Sequence, residues 1–122
     1  MQQLHLPPLA EGEVYVGAVG DKDGSGHHVI LLPGDNNGAS WKAQMEWAKS
    51  IGGDLPSRIE QAMLWANFRE QFKQDLYWSN EVHHRNSGWA WYQYFLYGNQ
   101  YYFNQDYEFR ARAVRRFIPS VI

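Results

Sequence analysis

The fifteen residues from Trp89 to Phe103 read WAWYQYFLYGNQYYF, and nine of them are aromatic. Aromatic side chains suit the pleated, half-buried surface of a sheet, and Gly98-Asn99 is turn chemistry. The stretch therefore reads as two antiparallel strands joined by a two-residue turn. Such a turn sets Phe95 opposite Tyr102, Gln93 opposite Asn104, Tyr94 opposite Phe103 and Leu96 opposite Tyr101. Because alternate residues of a strand point to opposite sides, two aromatic faces result. A chain of 122 residues builds one core of moderate size, so whatever else it contains must cover such a hairpin or leave part of it bare.

The remainder of the chain supplies that cover. Gly12 to Ala18 alternates like a strand, Asp21 to Gly26 (DKDGSG) is a turn, and His27 to Leu32 reads as a second strand. Ser40 is placed to cap a helix whose apolar face is Trp41, Met45, Ala48 and Ile51, ending at Gly52-Gly53. Ser57 and Glu60 form a capping box just after Pro56. The stripe Ile59, Ala62, Met63 and Ala66 then continues the second helix toward Phe68 and Phe72. After Leu76 the pattern turns to β, with a short run LYWSN, a polar loop EVHHRNSG, the aromatic hairpin, and a last strand FRARAVRRF. The expected class is α+β, two helices packed against antiparallel β-hairpins or a sheet. An arm over 1–11 precedes a single domain over 12–122.

Composition excludes several chemistries. There is no cysteine, so no disulfide framework, zinc knuckle or thiol nucleophile is available. A net charge of -2 gives no general pull toward phosphate backbones. Alternation along FRARAVRRF puts Phe109, Ala111 and Ala113 on one side and Arg110 and Arg112 on the other, the pattern of a half-solvated strand rather than a nucleic-acid surface. Asp21 to Gly26 copies the first half of a calcium-binding EF-hand loop, but the twelfth position is Leu32 rather than an acid. His27-His28 and His83-His84 each offer one imidazole to a given side of a strand. No metal and no cofactor is expected. Glu81, Asp106 and Glu108 lie near aromatics, yet spacing shows no carboxylate pair set for glycoside hydrolysis, and no nucleophile signature or phosphate loop is present. The N-terminus has no basic segment followed by an apolar run, and no stretch is long enough to span a bilayer. Synthesis in the cytoplasm without membrane insertion is expected, compatible with incorporation into a virion.

Taken in order, GEVYVG, HHVILLPG, SWKAQMEWAKSIGGDLPSRIEQ, YWSNE, GWAWYQYFLYGNQ and RARAVRRF resemble the Lcl-type C-terminal domain family, formerly a domain of unknown function, of bacterial adhesins and of phage and prophage proteins. The resemblance covers roughly residues 12 to 117. It implies a C-type-lectin-like fold and binding without catalysis. The Glu-Pro-Asn type tripeptide of calcium-dependent lectins is absent, and Trp78-Ser79-Asn80 only loosely echoes their Trp-Asn-Asp element, so the implied binding is calcium-independent. Formylglycine-generating relatives of the fold depend on cysteines that this chain lacks.

The family pattern places Trp91 and Phe95 on the inward face. The parity of the hairpin then puts Tyr92, Tyr94, Leu96, Tyr101 and Phe103, at positions that the resemblance implies are commonly small or polar, on the outer face as a strip rimmed by His83, His84, Arg85, Asn86, Tyr107 and Glu108. Five large apolar residues left bare are a liability unless something covers them. One candidate cover is the arm, through Leu4, Leu6 and Leu9. The other is a partner. The leading expectation is a phage or prophage tail or fibre domain that meets a host-surface glycan or protein receptor, with self-association or a fibre partner also allowed. The alternative is an intracellular protein-interaction module, an assembly factor or an inhibitor of a host protein, using the same strip.

Overall fold

The computed structural model describes residues 6–119 and has two helices and eight strands in two sheets. The strands are β1 (Val14–Gly20), β2 (Gly26–Leu31), β3 (Asn36–Ala39), β4 (Leu76–Val82), β5 (Trp89–Tyr94), β6 (Gln100–Asn104), β7 (Phe109–Ala111) and β8 (Val114–Phe117). The helices are α1 (Trp41–Ser50) and α2 (Arg58–Phe68), and a 3-10 turn follows at Arg69–Gln71. One sheet runs β1-β2-β8 and the other β3-β7-β4-β5-β6. All ladders are antiparallel except a single parallel contact between β4 and β7 at Tyr77 and Arg110. The α+β class read from the sequence is the class observed. No helix among the described residues is long and apolar enough to cross a membrane.

Both helix starts follow their local chemistry. The Ser40 hydroxyl accepts from the Ala43 N–H. Ser57 accepts from the Glu60 N–H, while the Glu60 carboxylate accepts from the Ser57 N–H at 2.8 Å, completing the capping box. The apolar stripe expected on α2 holds in part: Met63, Phe68 and, beyond the helix, Phe72 pack against the core. Ile59, Ala62 and Ala66 are exposed, and the helix buries Glu60, Gln61 and Leu64 instead. Glu60 tolerates burial because both of its oxygens are occupied. The Arg116 guanidinium donates to the two of them at 2.7 and 2.8 Å, and His27 adds a third contact at 2.8 Å. In α1, Gln44 is buried rather than Ile51; it donates to the Asn37 and Phe109 carbonyls and accepts from Asn36.

The core is divided by β4. Tyr77 enters one cluster with Val16, Val29, Leu31, Leu64, Phe95 and Val114 on the α2 side, and its neighbour Trp78 enters another with Leu32, Ala48, Leu55, Ala90, Ala111 and Ala113 on the α1 side. Adjacent strand residues point to opposite faces, so this one dipeptide anchors both layers.

The last expected strand is in fact two, which belong to different sheets. Between them the chain crosses over, and Arg112, expected to be solvated, is buried there. Its guanidinium donates to the carbonyls of Gln71 and Leu32 at 2.6 and 2.8 Å. The other arginines of the run are also paired: Arg110 with Asp35, Arg115 with Glu13, and Arg116 with Asp54 and Glu60. A run that resembles a basic patch in sequence joins the two sheets in three dimensions.

The aromatic hairpin differs from the expected one in its turn. Tyr94 and Asn99 close a longer loop, through the Tyr94 N–H to Asn99 C=O bond and the Gly98 N–H to Tyr94 C=O bond, both 2.8 Å. Gln93 consequently pairs with Gln100, not with Asn104. The cause is Phe95, which leaves the ladder to enter the core. It is 3% exposed, stacks on Phe72 at 4.0 Å and meets Tyr77 and Trp65 at their edges. Gly98 is required for this path: its φ is +85°, and a Cβ there would lie 2.4 Å from the Trp65 ring.

Candidate functional site: the aromatic β5–β6 hairpin

The register offset is an even number of residues, so the expected parity survives the change of turn. Tyr92 lies opposite Tyr101 and Ala90 opposite Phe103 on the α1 side; Trp91 lies opposite Tyr102 and Gln93 opposite Gln100 on the α2 side. What decides exposure is the reach of the helices. α1 packs on β3, β4 and β7, α2 packs on β1, β4 and β5, and neither packs substantially on β6. The hairpin thus outruns both helices, and aromatic rings emerge on each of its sides.

On the α1 side, Tyr92 is half-buried against Phe109 at 5.3 Å, and Phe103 meets Tyr107 at right angles, 4.3 Å away. Tyr101, Phe103 and Tyr107 are 52%, 40% and 55% exposed. Asn104, Asp106, Tyr107 and Glu108 line a shallow hollow of about 310 Å³ beside them. Of the expected strip, Tyr92, Tyr101 and Phe103 share this side of the ladder, with the Tyr101 ring leaning onto Tyr102 at 4.3 Å. Tyr94 leans on Tyr97, and Leu96 sits in the connecting loop rather than in the ladder.

The α2 side carries a second and denser cluster. Trp91, expected inside, is only half-buried, because α2 begins over Gln93 and Gln100 and stops short of it. The Tyr102 ring lies 5.0 Å from Trp91, 5.2 Å from Trp89 and 4.1 Å from His83. Arg58, the first residue of α2, lays its guanidinium 3.5 Å above the Trp91 ring and donates through Nε to Gln100 at 3.0 Å. Such a cation over an aromatic face is held by the ring quadrupole. Beside it, Arg58, Ile59, Ala62, Glu81 and Gln100 line an open groove of about 390 Å³. Arg58, Trp89 and Tyr102 were missed by sequence reasoning. The signal available was that Trp89, Trp91 and Tyr102 share one parity; the end of α2 over the sheet was not legible.

His83 joins this platform, whereas Arg85 and Asn86 stay in the exposed loop before β5, near His84. The Arg85 N–H donates to His83 Nδ1 at 3.2 Å, which leaves the ring proton on Nε2 as a free donor. Shielding by the surrounding rings, then the nearby charges of His84, Arg85 and Arg58, hold the His83 imidazolium below its ordinary range. A neutral imidazole donor beside stacked rings can orient a hydroxyl or a carbonyl.

The arm does not cover the hairpin with its described residues. Leu6 and Leu9 remain exposed, and the Pro8 carbonyl is held by Arg115 on the three-stranded sheet; Leu4 lies outside the described residues. At the opposite end, Asp21 and Asp23 turn their carboxylates onto Ser25 inside the β1–β2 turn.

No protein-family model, no curated protein and no solved structure matches this chain.

Proposed function

We propose that this chain is a non-catalytic ligand-binding domain of the C-type-lectin-like kind, akin to the Lcl-type C-terminal domains of phage, prophage and adhesin proteins, and that it meets a host-surface glycan or receptor as part of a tail or fibre. The observation that carries this reading is the hairpin that outruns both helices with rings bare on each side. Removing one large apolar side chain from water is worth about 1.5–3 kcal/mol, so a bare platform of several gains from a partner that covers it. The α2 side suits a sugar best. The flat C–H face of a pyranose fits the exposed ring of Trp89. Trp91, whose ring Arg58 covers, and Tyr102, stacked on Trp89, extend the apolar surface beside it, while Arg58, Glu81, Gln100 and His83 supply donors and acceptors around the rim, as orienting polar groups do in ligand sites. Tyr101, Phe103, Tyr107 and Glu108 extend the surface around the edge.

A protein partner is the second reading, because Trp, Tyr and Arg are also the residues that dominate protein interfaces. One experiment separates the two. Wild-type protein and the Trp91→Ala variant are applied to a glycan array and to intact candidate host cells. Binding by the wild type to defined saccharides, lost in Trp91→Ala, supports the lectin reading. Binding to cells that survives enzymatic deglycosylation supports a protein receptor. No binding on either surface overturns the proposal.

A further inference from the structure

A sheet ends in rows of unpaired N–H and C=O groups, and folded proteins blunt such edges with charge, proline, irregular strands or a covering segment. Three of the four edges here are blunted among the described residues. β1 is broken by a bulge between Tyr15 and Gly17. β3 is four residues long and loses register between Asn36 and Ala39. The outer side of β8 is taken at Val114 by paired backbone bonds with Asp54. β6 has none of these devices. Its register is regular from Asn104 to Gln100, and its sequence QYYFN contains neither charge nor proline.

The ladder shows which backbone groups that edge presents. The Tyr94 N–H donates to Asn99 and the Gln105 N–H to Gly88. Antiparallel pairs alternate between bonded and non-bonded, so Tyr101 and Phe103 turn their N–H and C=O toward β5, and Gln100, Tyr102 and Asn104 turn theirs away from the sheet. Among the described residues only the Asn104 carbonyl finds a backbone partner on that side, the Tyr107 N–H at 3.1 Å, and a carbonyl keeps a second lone pair.

We propose that β6 is the docking edge for a second copy of this chain, paired antiparallel about a twofold axis at Tyr102. The strand is complementary to itself in that register. Tyr102 exchanges both backbone bonds with Tyr102 of the second copy, Gln100 lies opposite Asn104 as a second bonded backbone pair, and Tyr101 meets Phe103 as a cross-strand aromatic pair. The absence of charge in β6 lets the copies approach without repulsion. The rims match as well: Arg58 stands at the Gln100 end, Asp106 and Glu108 lie just past the Asn104 end, and antiparallel pairing brings opposite ends together. The Tyr101 ring leans onto Tyr102 at 4.3 Å, and pairing requires it to return to its own face. The result is one continuous sheet with two ligand platforms side by side, an isologous arrangement of the commonest kind. This dimer stands whether or not the platform binds a sugar.

Two measurements on the whole chain test it. Sedimentation over a concentration series should show a monomer–dimer equilibrium for the wild type and monomer alone for Tyr102→Pro, which removes an outward N–H but no bond to β5; circular dichroism checks that this variant folds. Because the chain has no cysteine, Tyr101→Cys and Phe103→Cys give clean probes of register. Non-bonded antiparallel pairs stand about 4.5 Å apart at Cα, within disulfide reach, so an oxidised mixture of the two variants should form a covalent dimer while each alone forms at least tenfold less. A monomeric wild type at all concentrations, a dimeric and folded Tyr102→Pro, or equal cross-linking of Tyr101→Cys alone would each overturn the proposal.

Discussion

Glu60 shows how far a single residue can depart from its sequence neighbourhood. Its position three residues after Ser57 makes the cap legible, but its burial depends on Arg116, 56 residues away. Burial by itself would raise the carboxyl; the hydrogen bonds from Arg116 and Ser57, the Arg116 charge and His27 outweigh it and hold the group below its ordinary value of 4.5. The folded-state pKa therefore lies under the unfolded one. The stabilisation is complete above pH 4.5 and is lost as pH falls through the folded-state value. Urea unfolding across the acid range should show stability falling below that pH in the wild type and a flatter profile in Glu60→Gln. At neutral pH the variant should lose about 3 kcal/mol, since the Arg116 charge is left without its main partner. The same distance effect explains Gln44 and Arg112: polar side chains that read as solvated are buried because their partners come from remote segments.

At the level of elements, punctuation was legible and faces only in part: Trp41, Met45 and Ala48 of α1 pack on the core as expected. Ser40, Ser57 and the strand-rich second half follow from interactions within a few residues, which a linear pattern contains. The inward face of α2 does not, because Ile59, Ala62 and Ala66 keep helical spacing without a surface to pack on, and the site opposite them in the fold is open. The hairpin register was set by one contact that the pattern did not contain, the descent of Phe95 onto Phe72. Gly98 is the residue that permits it. Gly98→Ala should destabilise by more than about 1 kcal/mol, since the substitution combines a left-handed φ with a clash against Trp65. Its unfolding midpoint in urea checks this directly; an unchanged midpoint would mean that the loop relaxes toward the shorter turn.

Across the whole molecule, function turns on where the helices end relative to the sheet. The parity of the aromatic residues was correct from sequence, and it placed Tyr92, Tyr101 and Phe103 on one side as observed. Parity cannot say which rings are covered. Trp91 and Phe95 share a parity along the chain, yet Phe95 is enclosed by Phe72, Tyr77 and Trp65, and Trp91 lies beyond the start of α2, bordered by Arg58, Tyr102 and His83. The two residues should therefore behave differently. The most direct test measures unfolding free energy and binding to arrayed glycans or host cells for Trp91→Ala and Phe95→Ala in one buffer. Phe95→Ala should lose about 3–5 kcal/mol of stability, as large-to-small core changes do, with its folded fraction still binding. Trp91→Ala should unfold within about 1.5 kcal/mol of the wild type, well short of a core truncation, and should fail to bind. Equal destabilisation of the two variants, with binding retained by folded Trp91→Ala, would contradict the assignment of the hairpin as the binding surface.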